Sequence, residues 1–197
     1  YPEKIKHDGS LYKVSYTINP ELQSYLEKLL KRFKTPYSAV VVIDNNNGKI
    51  IGATGYDSRK KKLLKELAFS TTHPAASLFK IVSAASFMEN ASVRPKSSFT
   101  YSGKGTTLYK YQLKNKRNKW SRNISLEKAF STSNNVVFGK AAIMNISTKE
   151  LLGMAESFKF NHQIISELDV TPSRFVHAVD QYNLAEFASG FNKKTTL

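Results

Sequence analysis

Ser77 and Lys80, three residues apart in His73-Pro-Ala-Ala-Ser-Leu-Phe-Lys-Ile-Val-Ser-Ala-Ala85, are the pair in this chain best suited to chemistry. On a helix, positions i and i+3 share one face. A serine hydroxyl is a poor nucleophile until a base takes its proton. A lysine serves as that base only when its pKa is lowered, which apolar burial and a nearby helix N-terminus both do. Pro74 suits a first helical turn, and Leu78, Phe79, Ile81 and Val82 are expected to supply the apolar surroundings. The pattern is that of a serine acyl-transfer enzyme.

The spacing alone does not single out Ser77. Ser10-Leu-Tyr-Lys13, Ser58-Arg-Lys-Lys61 and Ser125-Leu-Glu-Lys128 fit it too. The first lies in a polar N-terminal stretch, the second in a basic run, and Ser125 reads as a helix N-cap. A second motif, Ser133-Asn134-Asn135, supports Ser77. A serine and an asparagine two apart, on a turn running into a helix, can point a hydroxyl and an amide into one cleft. Ser121-Arg-Asn123 shares the Ser-x-Asn pattern, but only Ser133 is followed by the apolar run Val136-Val-Phe-Gly-Lys-Ala-Ala142. A helix cap is the structural alternative for the Ser133 segment, since Ser and Asn are favoured there.

With these motifs in order, the chain resembles the transpeptidase domain of penicillin-binding proteins. The resemblance begins at Tyr16-Thr-Ile-Asn-Pro-Glu-Leu-Gln23 and continues through Ala39–Asp44 and Asn47–Ala53, similar to the family's first hairpin. It then runs through Pro74–Ile81, Ser125–Phe130 and Ser133–Phe138. It implies a D,D-transpeptidase reaction in which Ser77 attacks the penultimate D-Ala carbonyl of a peptidoglycan stem peptide. Lys80 would be its base, Ser133 would relay a proton to the leaving amine, and Asn135 would hold Lys80 and the substrate amide. β-Lactams would acylate Ser77, and no metal or organic cofactor is implied. The family also carries Lys-Thr/Ser-Gly on a late strand, where it binds the substrate carboxylate and gives one of two oxyanion N–H groups. No such tripeptide occurs in the sequence, and Lys194-Thr-Thr196 is not a match. The tail, Phe187–Leu197, resembles the family segment well before that strand.

The fold class implied is α/β (α+β), with a helical lobe beside an antiparallel sheet whose C-terminal strands are absent from this chain. The whole is read as the N-terminal part of one domain. It has a lead-in segment over 1–15, a first helix and hairpin over 16–60, and a mainly helical part over 61–197. Truncation, proteolysis or a second chain carrying the rest would each account for the absent part. Two alternatives stand beside the transpeptidase: a serine β-lactamase-like hydrolase, and a non-catalytic cell-wall scaffold. Class A β-lactamases typically carry Ser-Asp-Asn where Asn134 stands here, and no clear Glu-x-x-Leu-Asn segment follows, so the acyl-enzyme is expected to persist.

The 197 residues contain no cysteine, which excludes disulfides and thiolate chemistry. The four histidines, at 7, 73, 162 and 177, have no metal-ligand spacing. No apolar run reaches the about 18 residues a membrane span needs. The resemblance implies a place outside the cytoplasm, in the periplasm or at the outer face of the cytoplasmic membrane, with the anchor not in this chain. A net charge of +15 favours polyanionic surroundings such as anionic lipid or cell-wall polymers. The densest stretch runs from Lys104 to Arg122 around Tyr109, Tyr111 and Trp120. Basic residues interleaved with aromatics can bind single-stranded nucleic acid; a solvated loop beside the cleft is the preferred reading.

The elements follow from local signals. Asn19 and Pro20 start a helix whose apolar face is Leu22, Leu26, Leu29, Leu30 and Phe33. Two β-branched runs, 38–44 and 48–55, flank an Asn-Gly turn and predict a hairpin. The first run is apolar almost throughout, which predicts cover on both faces. Residues 99–101 and 108–113 predict short strands. Helices are predicted over 78–89, 125–130, 136–144 and from a Ser147/Glu150 capping box to about 158. Another is predicted over 184–189, with Gly190 as C-cap. Residues 161–179 are ambiguous.

Overall fold

The computed structural model describes residues 2–33, 35–164 and 170–197. Two compact units divide the chain, residues 1–70 and residues 71–197.

The first unit opens with a hairpin that carries no signal of burial. Strands β1 (Lys4–His7) and β2 (Ser10–Lys13) pair antiparallel around Asp8 and Gly9, both at positive φ, and all eight strand residues are exposed. Ser10 and Lys13 are thus strand residues, not neighbours on a helix face. Helix α1 (Pro20–Arg32) starts as expected, with the Asn19 Oδ1 accepting the Leu22 N–H at 3.0 Å. Leu26 and Leu30 are buried, whereas Phe33 lies past the helix end and is exposed.

Strands β3 (Tyr37–Ile43) and β4 (Ile50–Asp57) form the predicted hairpin, with Val40 opposite Thr54. Its turn is tied by the Asp44 carboxylate, which accepts from the Asn46 N–H and from the Asn46 and Asn47 amides. A short strand β5 (Lys62–Leu63) pairs with Tyr56 and Asp57, giving the order β3-β4-β5. The expectation that the first strand is covered on both faces is corrected here. β3 is an edge strand with no buried residue, and Val41 and Ile43 are exposed. An apolar run shows that a strand suits burial; it does not show what covers it.

Gln23 explains how α1 is fastened. β5 reaches only the end of β4, so Ala53 keeps a free backbone edge. Gln23, itself buried, fills it: Nε2 donates to the Ala53 carbonyl and Oε1 accepts the Ala53 N–H, both at 3.0 Å. A helix side chain thus stands in for a strand.

The second unit is mainly helical. A 3-10 turn (Ala76–Phe79) leads into α2 (Lys80–Asn90). Strands β6 (Ser98–Tyr101) and β7 (Arg122–Ser125) make a small hairpin enclosing the basic loop. The strand expected at 108–113 is instead a 3-10 turn (Lys110–Leu113), because Gln112 turns inward to cap it. Helices α3 (Leu126–Ser131), α4 (Asn135–Asn145), α5 (Thr148–Ser157) and α6 (Gln181–Ser189) follow. Ser125 caps α3 and the Ser147/Glu150 box caps α5, as their sequences predict. Helix α4 is buried from Asn135 to Ala142 and packs against α2, α3, α6 and β6. A helix apolar all round belongs at a core's centre. Part of the ambiguous stretch, 165–169, lies outside the described residues. No described helix is long and apolar enough to cross a membrane.

The Gln23 bridge is open to test. Gln23→Ala leaves the Ala53 N–H and C=O without their partner in a buried setting. We expect a loss of about 1–3 kcal/mol in unfolding free energy by urea titration. An unchanged midpoint would mean that water takes the place of the side chain.

Candidate active site

The turn that carries Ser77 is held from three sides. Phe79 is 1% exposed and stacks on Phe175 at 4.9 Å between ring centroids, with Phe160 edge-on at 5.4 Å. Pro74 does not open the helix, as expected from sequence; it lies in a β-bridge with Thr196. Beside it the Ala75 N–H donates to the Thr195 carbonyl at 2.9 Å. Ala76 is left-handed at φ 46°, a conformation costing a non-glycine residue about 1–3 kcal/mol. Of the four apolar residues expected to bury the lysine, Phe79 and Val82 are buried, while Leu78 and Ile81 are exposed. The Phe138 ring supplies another apolar wall, its centroid 5.7 Å from the Lys80 Nζ.

Lys80 is 2% exposed, and burial pushes its pKa down from 10.5 to about 8. Its Nζ lies 2.9 Å from the Ser77 Oγ, 2.7 Å from the Asn135 Oδ1 and 2.6 Å from the Ser189 carbonyl oxygen. As an ammonium it donates to all three. As a neutral amine it has two N–H groups and one lone pair. Asn135 Oδ1 and the Ser189 carbonyl can only accept, so they take the two N–H groups. The lone pair is then left for Ser77, the one partner with a proton to give. The lowered pKa also has a stability consequence. Between about 8 and 10.5 the unfolded chain binds more protons than the folded one, so this group's destabilising effect is full below about pH 8 and fades as pH rises.

The second motif meets the first as the spacing suggested. Ser133 is left-handed at φ 52° in the tight turn between α3 and α4, and its Oγ donates to the Ser77 Oγ at 2.8 Å. Asn134 is the helix cap, its Oδ1 accepting the Val137 N–H at 3.0 Å. Asn134 thus takes the cap, while its neighbours Ser133 and Asn135 reach Ser77 and Lys80. Aspartate caps as well as asparagine, so the middle residue does not separate transpeptidase from β-lactamase. The structure brings Ser77, Lys80, Ser133 and Asn135 into one hydrogen-bonded cluster. The competing matches are elsewhere: Ser10 on β2, Ser58 in the turn after β4, Ser125 at its cap, and Ser121 paired with Ser102.

Several positioning groups carried no readable signal. Asn135 is oriented by the loop before α4: its Nδ2 donates to the Thr106 carbonyl at 3.0 Å, and its backbone N–H to the Gly105 carbonyl at 2.7 Å. The basic stretch is thus more than a solvated loop. Its charged side chains point outward, but its backbone shapes the site, and buried Gln112 staples it through Thr107, Ser102 and Lys104. The chain end matters equally. Ser83 donates to the Ala188 carbonyl at 2.7 Å, Lys80 to that of Ser189, and Gly190 caps α6 at φ 68°. A Cβ on Gly190 would overlap the Ala76 carbonyl. Backbone acceptors leave no trace in side-chain motifs; only Gly190 hinted at this contact.

Comparison with known proteins places the chain in a family. The penicillin-binding protein transpeptidase domain matches residues 38–189. The chain belongs to the penicillin-binding protein transpeptidase family. Solved structures share the fold. Penicillin-binding protein A from Mycobacterium tuberculosis, as its penicillin G acyl-enzyme complex, aligns with a TM-score of 0.70 at 21% identity over 93% of this chain and 48% of that one. The D,D-transpeptidase domain of a peptidoglycan glycosyltransferase from Eggerthella lenta gives 0.66 at 25% identity, over 87% and 45%. Penicillin-binding protein 2B from Streptococcus pneumoniae gives 0.69 at 16%, over 98% and 40%. The chain therefore spans about half the length of these structures or less. No curated protein matches the chain significantly.

Gly190 offers a direct test of the close approach between the two backbones. Gly190→Ala forces a left-handed alanine, worth about 1–3 kcal/mol, and adds the overlap with Ala76. We expect a loss of at least that size by urea unfolding. Gly153→Ala, in α5 where a Cβ meets nothing within 4 Å, should instead be neutral or gain about 0.5–1 kcal/mol. Equal effects at the two sites would refute the packing described.

Proposed function

We propose that this chain supplies the nucleophile half of a D,D-transpeptidase site. The observation that carries the reading is the Lys80 hydrogen-bond shell, in which Ser77 alone can give the amine a proton. Neutral Lys80 takes the Ser77 proton as Oγ bonds to the penultimate D-Ala carbonyl carbon of a stem peptide. The tetrahedral oxyanion collapses, the C–N bond breaks, and the leaving D-Ala amine takes a proton delivered through Ser133. The ester on Ser77 is then attacked by an amine from a neighbouring stem, which returns the Ser77 proton and forms the cross-link. Asn135 holds Lys80 and presents its amide to the substrate.

The Ser77 N–H, at the start of its 3-10 turn, would be one oxyanion donor. With no Lys-Thr/Ser-Gly in these 197 residues, the second donor and the carboxylate-binding group would come from residues outside them. Losing one such donor typically costs about 10²–10³ in rate, so the catalytic unit is the protein that carries this chain together with that strand. The acyl-enzyme complex of the Mycobacterium tuberculosis protein with penicillin G supports the same ester on Ser77. The site would work outside the cytoplasm, where peptidoglycan is cross-linked.

Fluorescent penicillin labelling of the protein tests this reading. Ser77→Ala should abolish the label, and Ser125→Ala should leave it. Because the base must be neutral and Lys80 titrates at about 8, the labelling rate should rise about tenfold per pH unit below that value and level off above it. Slow release of the label fits a transpeptidase; rapid turnover would favour the β-lactamase-like alternative. Label that survives Ser77→Ala, or a rate flat from pH 6 to 9, would sink the assignment.

A further inference from the structure

Lys140 is a second lysine that the fold buries, and the reaction above makes no use of it. It stands on α4 five residues after Asn135, about 140° further round the helix. It therefore faces away from Ser77 and toward β6, where its Nζ donates to the Thr100 carbonyl at 2.9 Å. Lys140 is 6% exposed, and burial pushes its pKa down. Among the described residues no carboxylate stands within ion-pair distance of it. An ammonium has three N–H groups, and Thr100 occupies one. Charges buried this far are normally paired.

Lys140 and Thr100 line a pocket of ≈ 340 Å³ in which no lining residue is acidic. That size falls within the roughly 300–1,000 Å³ of small-molecule sites. The rim carries polar groups, Ser98 and Asn115, whose side chains make no hydrogen bond among those seen in the described residues; Phe99 and Met144 add apolar wall.

We propose that this pocket binds a small organic molecule through a single carboxylate held by Lys140. One ammonium balances one negative charge, whereas a phosphate dianion would leave a second charge uncompensated in a half-enclosed site. A bare ion would leave most of the volume unfilled, since a water takes about 30 Å³. The apolar wall suits a carbon body, and the exposed Ser98 hydroxyl and Asn115 amide suit its polar substituents.

N-acetylglycine, its neutral amide and inorganic phosphate are the probes, read by backbone amide NMR shifts in the protein at constant ionic strength. The acid should move the resonances of Phe99, Thr100 and Asn145 and bind roughly tenfold or more tighter than the amide, the difference expected for a charge-assisted hydrogen bond. Lys140→Met, with its fold checked by circular dichroism, should lose that preference. Equal binding of acid and amide, no binding, shifts confined to the Ser77 site, or phosphate binding in place of the acid would each overturn the proposal. So would a folded Lys140→Met protein that keeps the preference. Should that variant not fold, the acid-against-amide comparison in the unaltered protein decides.

Discussion

A lysine amine buried among acceptors is the constraint on which the rest of the second unit depends. Burying a charge in apolar surroundings costs several kcal/mol unless its donors are met. Lys80 meets that cost with three partners from three parts of the chain: Ser77 on its own turn, Asn135 at the start of α4 and Ser189 at the end of α6. Moving any of these elements leaves either an orphaned amine or an orphaned carbonyl. The same geometry that satisfies the ammonium also selects the proton donor for the neutral amine. One hydrogen-bond shell thus serves both the charged and the neutral amine.

The surrounding elements can be ranked by how they serve that shell. The aromatic cluster of Phe79, Phe160, Phe175 and Phe187 anchors the Ser77 turn. The segment from Ala188 to Leu197 lies alongside it, with backbone hydrogen bonds between Ala75 and Thr195 and between Leu197 and His73. Together they hold Ala76 in a left-handed conformation that alanine does not choose alone. On the other side, Gly105 and Thr106 fix Asn135 through backbone carbonyls, and Gln112 fixes them in turn. A glycine at 105 is needed because a Cβ there would press on the Asn134 amide. The tight points of the site are a backbone against a side chain at Gly105 and two backbones at Gly190, which is why glycines stand at them.

Much of this was legible in the sequence because the signals were local. Asn19-Pro20, the Asn-Gly turn and the Ser147/Glu150 box each specify their element through a hydrogen bond only a few residues long. Ser77, Lys80, Ser133 and Asn135 could be picked out as candidates because their types and spacing suit one chemistry, and the apolar context of Ser77 and Ser133 separated them from look-alikes. What was not legible depended on distant partners. Nothing in Lys110–Leu113 says that Gln112 turns inward, so a strand was the natural expectation. Nothing in Ser38–Asp44 says which face is covered, and β3 proved an exposed edge. Leu78 and Ile81 look as apolar as Phe79 and Val82, yet the turn angle sends the first pair to solvent. Ser189 acts through its carbonyl, a group every residue has.

The most direct measurement is the protonation of Lys80 itself. With ¹³C-labelled lysine, the Cε resonance of Lys80, assigned by its loss in Lys80→Arg, can be followed against pH. The account predicts a midpoint near 8, apart from the surface lysines, and coupled to Ser77 so that Ser77→Ala moves it. A midpoint at the ordinary 10.5, unmoved by Ser77→Ala, would mean that burial does not lower the amine's pKa and that the amine is unlinked to the serine, and the central claim would be wrong.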